Sequence, residues 1–124
     1  MSQIDTRINA HLRSSTGLVA LVGSEIRTAA LDSTGDGLLA AVVDTYQGLT
    51  MGSLLGVAES QLQVTSFSRS FANAHAIAIQ ARKSLERWNS STAGVRDTLL
   101  EDENHLYDGD WYEIIQDYRV IHTT

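Results

Sequence analysis

The feature that most constrains the fold is an amphipathic stretch at residues 70–88, SFANAHAIAIQARKSLERW. Its apolar residues recur at steps of three and four, the spacing that places side chains on one face of an α-helix. The apolar positions are Phe71, Ala74, Ile77, Ala78, Ala81, Leu85 and Trp88. Because the opposite face is polar, this helix needs a covering layer on one side only. Ser68 or Ser70 is predicted to cap its start.

The N-terminal part of the chain predicts one further helix and a short turn. Ile4, Ile8 and Leu12 share one face of a helix over residues 3–14. Residues 18–22 predict a short apolar turn, closed by Gly23 in the left-handed conformation. Residues 25–31 are short and ambiguous, and predict an edge strand or an extended connection.

Four later segments have the character of strands, although residues 38–41 (LLAA) of the first alone would equally suit a helix. They cover residues 38–47, 59–68, 95–103 and 111–122, and turn residues separate them at 32–37 and 106–110. In the last segment Gln116 interrupts an otherwise apolar face, which predicts a position near a strand end or a sheet edge. The order of elements favours an α+β fold: a mainly antiparallel sheet with the long helix and the shorter N-terminal helix on one face.

Composition limits the class of protein. With 124 residues, 43% of them hydrophobic and 19% charged, the chain predicts one folded domain over residues 1–124. No apolar run is long enough to span a membrane, so no membrane association is expected. The net charge of −6 disfavours tight wrapping on nucleic acid but is compatible with a pore through which DNA passes.

The most unusual segment is residues 48–58, GLTMGSLLGVA. Its three glycines indicate a loop, yet it is too apolar for a loop that only faces water. The apolar residues, which we predict to be interface residues, are Leu49, Met51, Leu54, Leu55 and Val57. Two interpretations stay open: a wide hairpin that folds back on its own domain, and a protruding loop that orders against a neighbouring subunit.

No pattern in the sequence nominates a catalytic, metal or cofactor site. Residues 32–37 resemble the start of a calcium loop, but position three is Thr34 and position twelve is Val43, where a bidentate glutamate belongs. Residues 101–103 are acidic and predict a solvated rim. The four histidines do not form a metal-binding pair, and no nucleophile elbow or phosphate loop is present. We therefore expect neither an enzyme nor a cofactor.

Several short motifs in order resemble a known family. They are Ile8-x-x-x-Leu12, residues 18–26 (LVALVGSEI), Leu62-Gln63-Val64, the alanine-rich helix, Leu106-Tyr107-Asp108 and Tyr118-Arg119-Val120. Together they resemble the tail-completion or tail-terminator proteins of long-tailed bacteriophages, whose relatives occur in prophages and gene transfer agents. The resemblance covers nearly the whole chain.

The resemblance implies a structural virion protein at the tail–neck junction, assembled in the cytoplasm of the host bacterium. Such subunits form a ring, typically a hexamer, that ends the tail tube and joins it to the neck of the capsid. The implied partners are other copies of the chain, the tail tube protein and the connector, with DNA passing through the lumen without specific binding. Neither a reaction nor a cofactor is implied.

Other functions remain as alternatives. Within the same class the chain is compatible with a neck adaptor or head-closure ring. From different classes, a small non-viral binding module and a hydrolase built from acids distant in sequence also remain. A deep polar pocket that holds His75 or His122 beside carboxylates would favour the hydrolase.

Overall fold

The computed structural model describes residues 2–23, 25–27, 36–46 and 57–123. Its helices are α1 (Ser2–Arg13), α2 (Thr16–Val22) and α3 (Phe71–Leu85). Its strands are β1 (Ile26–Arg27), β2 (Gly37–Tyr46), β3 (Val57–Ser68), β4 (Val95–Asp108) and β5 (Trp111–Thr123). None of the described helices is long and apolar enough to cross a membrane.

The five described strands form one sheet in the order β1-β2-β3-β5-β4. The short strand β1 pairs with β2 in parallel, and every other pairing is antiparallel. The predicted α+β class with a mainly antiparallel sheet is therefore confirmed. The C-terminal strand β5 lies between β3 and β4, so it is an interior strand.

All three described helices contribute to a core on one face of the sheet. Every second residue of β3 and β5 points to that face, because side chains alternate along a strand. The core combines residues of α1, α2 and α3 with residues of the sheet: Ile4, Ile8, Leu12, Leu18, Val22, Ile77, Ala81, Leu85, Leu38, Ala40, Leu62, Val64, Tyr118 and Val120. The predicted packing of both helices on one face is confirmed.

Helix α3 is shorter than its apolar pattern. Ser70 caps its start by accepting a hydrogen bond from the main-chain N–H of Asn73, and the helix ends at Leu85. The helix cannot continue because Glu86 is extended, with a ψ of 122°, and Arg87 follows with a positive φ of 63°. Trp88 therefore lies after the helix, where its ring stacks on His11 of α1 with centroids 4.0 Å apart.

The N-terminal elements follow the prediction with two differences. Helix α1 buries Ile4, Ile8 and Leu12 as expected. The apolar turn predicted at residues 18–22 is instead the helix α2, capped by Ser15. Gly23 ends α2 with a φ of 62°, as expected for glycine, but its ψ of −126° is not that of the predicted left-handed cap.

The hairpin of β4 and β5 is longer than the turn residues predicted. Residues 106–108 continue β4 rather than forming part of the turn, so the connection narrows to Gly109 and Asp110. Gly109 has a φ of 65°, which suits glycine at the first position of a tight two-residue connection. The pairing of Asp108 with Trp111 closes the hairpin.

The prediction that Gln116 lies near an end or an edge is wrong. Gln116 is in the middle of the interior strand β5 and is almost completely buried. It is tolerated there because its amide group is hydrogen-bonded on both its nitrogen and its oxygen. Most of the predicted turn at residues 32–37 lies outside the described residues, and its last residue, Gly37, opens β2.

The burial of α3 predicts a large effect of truncating one side chain. Leu85→Ala should lower the free energy of unfolding by about 2–5 kcal/mol, because Leu85 is fully buried and its removal leaves a cavity. Urea unfolding measures the change. Ile79→Ala on the exposed side of the same helix is the matched control and should change stability little. Equal effects of the two substitutions would contradict the packing of α3.

Candidate assembly surfaces

Of the five predicted interface residues, Val57 lies within the described part of the chain. Leu49, Met51, Leu54 and Leu55 lie outside the described residues. Val57 was predicted to belong to the loop, but it is the first residue of β3, is half-buried and pairs with Thr123. The structure therefore does not bring the five residues together as one described site.

The sheet face opposite the helices is not covered by any described helix. The cross-strand row Leu39, Thr65 and Ile115 runs across its middle, and Ile121 and Leu99 lie further along it. Apart from Thr65, these side chains are only partly buried. We call this surface the open face.

The open face carries more acidic than basic side chains. Arg119 lies on it between two glutamates, 3.0 Å from Glu101 and 3.8 Å from Glu59. Glu113 and Asp117 lie on the same strand as Arg119 and on the same face. These partly exposed ion pairs contribute little stability, and acidic side chains remain in excess on this part of the open face.

Strand β4 forms one edge of the described sheet, and its two halves differ. Its first half carries two irregularities, between Val95 and Asp97 and between Leu100 and Asp102, followed by exposed acids at residues 101–103. Bulges and charges are the usual protection of a free edge against pairing with another chain. Residues 104–107 have a regular register and carry no acid. We call residues 104–107 the edge patch.

Two large side chains of the edge patch are exposed on opposite faces of the sheet. Leu106 is 52% exposed and Tyr107 is 62% exposed. Leu106 pairs with Glu113, on the side of the open face, whereas Tyr107 pairs with Tyr112, on the side of the helices. The patch therefore offers apolar surface on both sides of one edge.

An aromatic cluster adjoins the edge patch on the helix side. Phe71 at the start of α3 lies 5.8 Å from the rings of His75, His105 and Tyr112, measured between centroids. Tyr107 and Tyr112 are 4.5 Å apart. Phe71 was predicted to be buried with the rest of its helix face, but it is 45% exposed because α3 begins at the rim of the sheet.

A buried hydrogen-bond network joins α3 to both strands of the hairpin. The side-chain nitrogen of Gln116 donates to the main-chain oxygen of Ala78 at 3.2 Å and to Glu103 at 3.0 Å. The hydroxyl of Tyr118 donates to the side-chain oxygen of Gln116 at 3.0 Å. Burial raises the pKa of Tyr118, so this hydroxyl keeps its proton and remains a donor.

Glu103 is the charged member of this network. The hydrogen bond from Gln116 and then that from His105 hold the pKa of Glu103 below its ordinary value of 4.5, because both favour the carboxylate. Glu103 thereby connects the interior of the sheet to the edge patch. The arrangement satisfies the buried polar groups of Gln116 and Tyr118.

One of the two histidines named for a hydrolase, His122, is buried beside a hydroxyl group. His122 lies 2.7 Å from the hydroxyl of Ser60, and its other ring nitrogen lies 2.9 Å from the main-chain oxygen of Thr123. Ser60 is fully buried and His122 is 4% exposed. His75 is exposed on α3 and stacks on Phe71. Within the described part of the chain, the partners of these two histidines are a hydroxyl group, a main-chain oxygen and an aromatic ring.

Metal binding finds no support in the described part of the chain. There, no group of three or more histidine, aspartate or glutamate side chains is arranged to hold an ion. The acids at residues 101–103 are exposed, as the predicted solvated rim requires. Most of the calcium-like residues 32–37 lie outside the described ranges.

Comparison with known proteins gives a likeness of fold. A solved structure titled "Virion of native gene transfer agent (GTA) particle" contains a chain that matches this one with a TM-score of 0.75 and 18% sequence identity. The match covers 94% of this chain and 92% of that chain. No protein-family model and no curated protein sequence matches.

Sequence reasoning missed the aromatic cluster and the network of Gln116. The cluster joins residues from α3, β4 and β5 that are far apart in the chain, and only the order of the strands brings them together. The one local signal in the sequence was Gln116, a polar residue on an apolar strand face. Such a residue indicates either a position at the edge of the sheet or a buried side chain whose hydrogen bonds are satisfied.

The network predicts that substituting Gln116 changes both the free energy of unfolding and its dependence on acidic pH. Gln116→Leu should destabilise the protein by about 1–3 kcal/mol, because the buried hydroxyl of Tyr118 loses its acceptor. The native Glu103 stabilises the fold above its ordinary pKa of 4.5, and this stabilisation is lost as the pH falls through its lowered folded pKa. The variant should lose less stability over that acidic range.

Urea unfolding at neutral pH and at several values below 4.5, together with NMR titration of Glu103, measures both effects. Gln63→Leu on the exposed side of β3 is the control and should leave both unchanged. A pKa of Glu103 that does not rise in Gln116→Leu would contradict the network.

Proposed function

We propose that this chain is a structural virion protein that assembles into a ring, terminates a tail tube and joins it to the neck. The observation that carries the proposal is the likeness of fold, over nearly the full length of both chains, to a chain of a gene transfer agent virion. The sequence motifs described above support the same assignment independently of that comparison. No reaction and no cofactor form part of the proposal.

The surfaces of the subunit are compatible with assembly. In a cyclic ring the contacts between subunits are head-to-tail. Each subunit therefore contacts its two neighbours through two different surfaces. The open face and the edge patch are two such surfaces, and the apolar composition of residues 48–56 suits a further contact. In the proposed ring, each of them is a candidate for contact with a neighbour, with the tube protein or with the connector.

The charge of the chain supports a role beside DNA rather than bound to it. The net charge is −6, and acids such as Glu59, Glu101 and Asp117 outnumber Arg119 on the open face. Acidic surfaces repel phosphates, so DNA would pass through a ring of such subunits without being held. In this proposal the ring sits at the tail–neck junction, and hexamers are the expected assembly.

A neck adaptor or head-closure ring is the second candidate, because the same fold and surfaces suit either position. The two are distinguished by the partner that is bound. A terminator binds the end of a purified tail tube, whereas an adaptor binds the portal side of a filled capsid and ignores tubes.

The first test is the mass of the protein in solution. Light scattering over a concentration series, with and without purified tail tubes, should detect a hexamer-sized species or capture of the protein at tube ends. A protein that stays monomeric and ignores both tubes and capsids would refute the proposal and favour a binding module.

The segment at residues 48–56 provides a mutational test of assembly. Deletion of residues 51–56 should abolish ring formation and tube capture while the monomer stays folded, because the deleted residues are proposed to contact another subunit. A second variant should replace them with an equal number of glycines and serines, which separates the loss of apolar contact from the shortening of the chain.

Circular dichroism and thermal unfolding report on the fold of these variants, and light scattering reports on the ring. Both variants should unfold close to the temperature of the unmodified protein and should fail to assemble. Global unfolding of the glycine–serine variant would show that the segment belongs to the core of its own subunit.

A further inference from the structure

The edge patch exposes two large side chains beside a strand edge that no described strand covers. Residues 101–103 protect the edge of β4 with charge, whereas residues 104–107 expose Leu106 and Tyr107 on opposite faces. Within the described part of the chain no strand pairs with the outer side of β4. An edge strand of this kind offers main-chain donors and acceptors to an incoming chain.

The side chains of the patch define what can cover it. An extended segment that lies along an edge presents consecutive side chains to opposite faces. To cover Leu106 and Tyr107 together, the segment needs two adjacent apolar residues. It must also be uncharged or basic, because acids at residues 101–103 and at Asp110 border the patch and would repel a carboxylate.

Residues 48–56 have this composition and belong to no described helix or strand. Residues 48–56 contain no charged residue and include the adjacent pair Leu54 and Leu55. The other adjacent leucines, Leu38 with Leu39 and Leu99 with Leu100, are in β2 and β4. Residues 48–56 therefore match the patch in both apolarity and charge.

The segment cannot reach the patch of its own subunit. It connects β2 to the start of β3, where Val57 pairs with Thr123, whereas the patch lies beside the pairing of Ser68 with Tyr112 at the far end of β3. With a rise of about 3.3 Å per residue, these ends are roughly 36 Å apart. A loop of this length, which must go out and return, reaches about half that distance.

We propose that the edge patch, with the adjoining aromatic cluster, is the docking site for residues 48–56 of a second copy of this chain. The inference rests on the proposed ring and names the contact between its subunits. Each copy provides the segment at one end of its sheet and the patch at the other, so the contact is head-to-tail and is repeated around the assembly.

The absence of cysteine in the chain permits a direct test of this contact. Tyr107→Cys and Leu54→Cys are prepared as separate proteins, mixed and oxidised, so that a mixed disulfide forms only between two copies. The mixed dimer should form roughly tenfold faster than in the control mixture of Val43→Cys with Leu54→Cys, because docking raises the local concentration of the thiols. Val43 is also on a strand and is as exposed as Tyr107, at 63%.

Three outcomes of the cross-linking overturn the inference. Equal rates in the two mixtures would show that the patch is not a preferred site. Faster dimerisation of Tyr107→Cys with itself would indicate a symmetric contact between two edges of β4. A disulfide within single molecules of a Tyr107→Cys/Leu54→Cys double variant, at high dilution, would show that the segment reaches its own patch.

A second experiment separates this inference from the proposed function. Leu106→Gln/Tyr107→Gln should remain folded, since both residues are exposed, and should lose ring formation. Val19→Gln/Leu21→Gln on the exposed side of α2 is the control and should keep it. Rings that persist in the patch variant would refute the contact and leave the proposed function standing. If the patch variant unfolds, the cross-linking rates decide.

Discussion

The packing of α3 against one face of the sheet is the interaction on which the rest of the structure depends. Its buried face consists largely of alanines, with Ala74, Ala78 and Ala81 next to Ile77 and Leu85. Small side chains let the helix lie close to β3 and β5, and the larger side chains of the strands fill the layer. Because α1 and α2 share this side of the sheet, the chain has no described helix left to cover the other. The open face is thus a direct consequence of how the core is formed.

Gln116 determines how the edge strand is held relative to that core. Its amide joins the main chain of α3 at Ala78, the hydroxyl of Tyr118 on β5 and the carboxylate of Glu103 on β4. Burying this amide costs little free energy when all three partners are in place and much more when one is missing. The network therefore favours the one pairing register of β4 and β5 that satisfies every partner. In this register the end of β4 and the start of β5 lie beside the start of α3. His105 of β4 and Tyr112 of β5 are therefore next to Phe71.

The sequence predicted the elements that depend on local periodicity. The spacing of Ile4, Ile8 and Leu12 was sufficient for α1, and alternation was sufficient for β3 and β5, because these patterns follow from the geometry of single elements. The order of the strands was not predictable, since it depends on pairings between distant residues. Both the interior position of Gln116 and the exposure of Phe71 follow from that order, and both predictions failed for this reason. The predicted interface at Leu49, Met51, Leu54 and Leu55 rests on composition alone and lies outside the described structure.

The two halves of β4 show how one strand can be protected and still be available for contact. An edge strand of 14 residues would be an aggregation site if it were regular and apolar throughout. Bulges and acids protect the half near the core, and the remaining edge is limited to the four residues 104–107, which carry no acid. A short edge limits the strength of a single contact, so a stable assembly needs that contact several times. The proposed ring would supply this repetition, because each subunit in it would be held at two places and could not leave by breaking one contact.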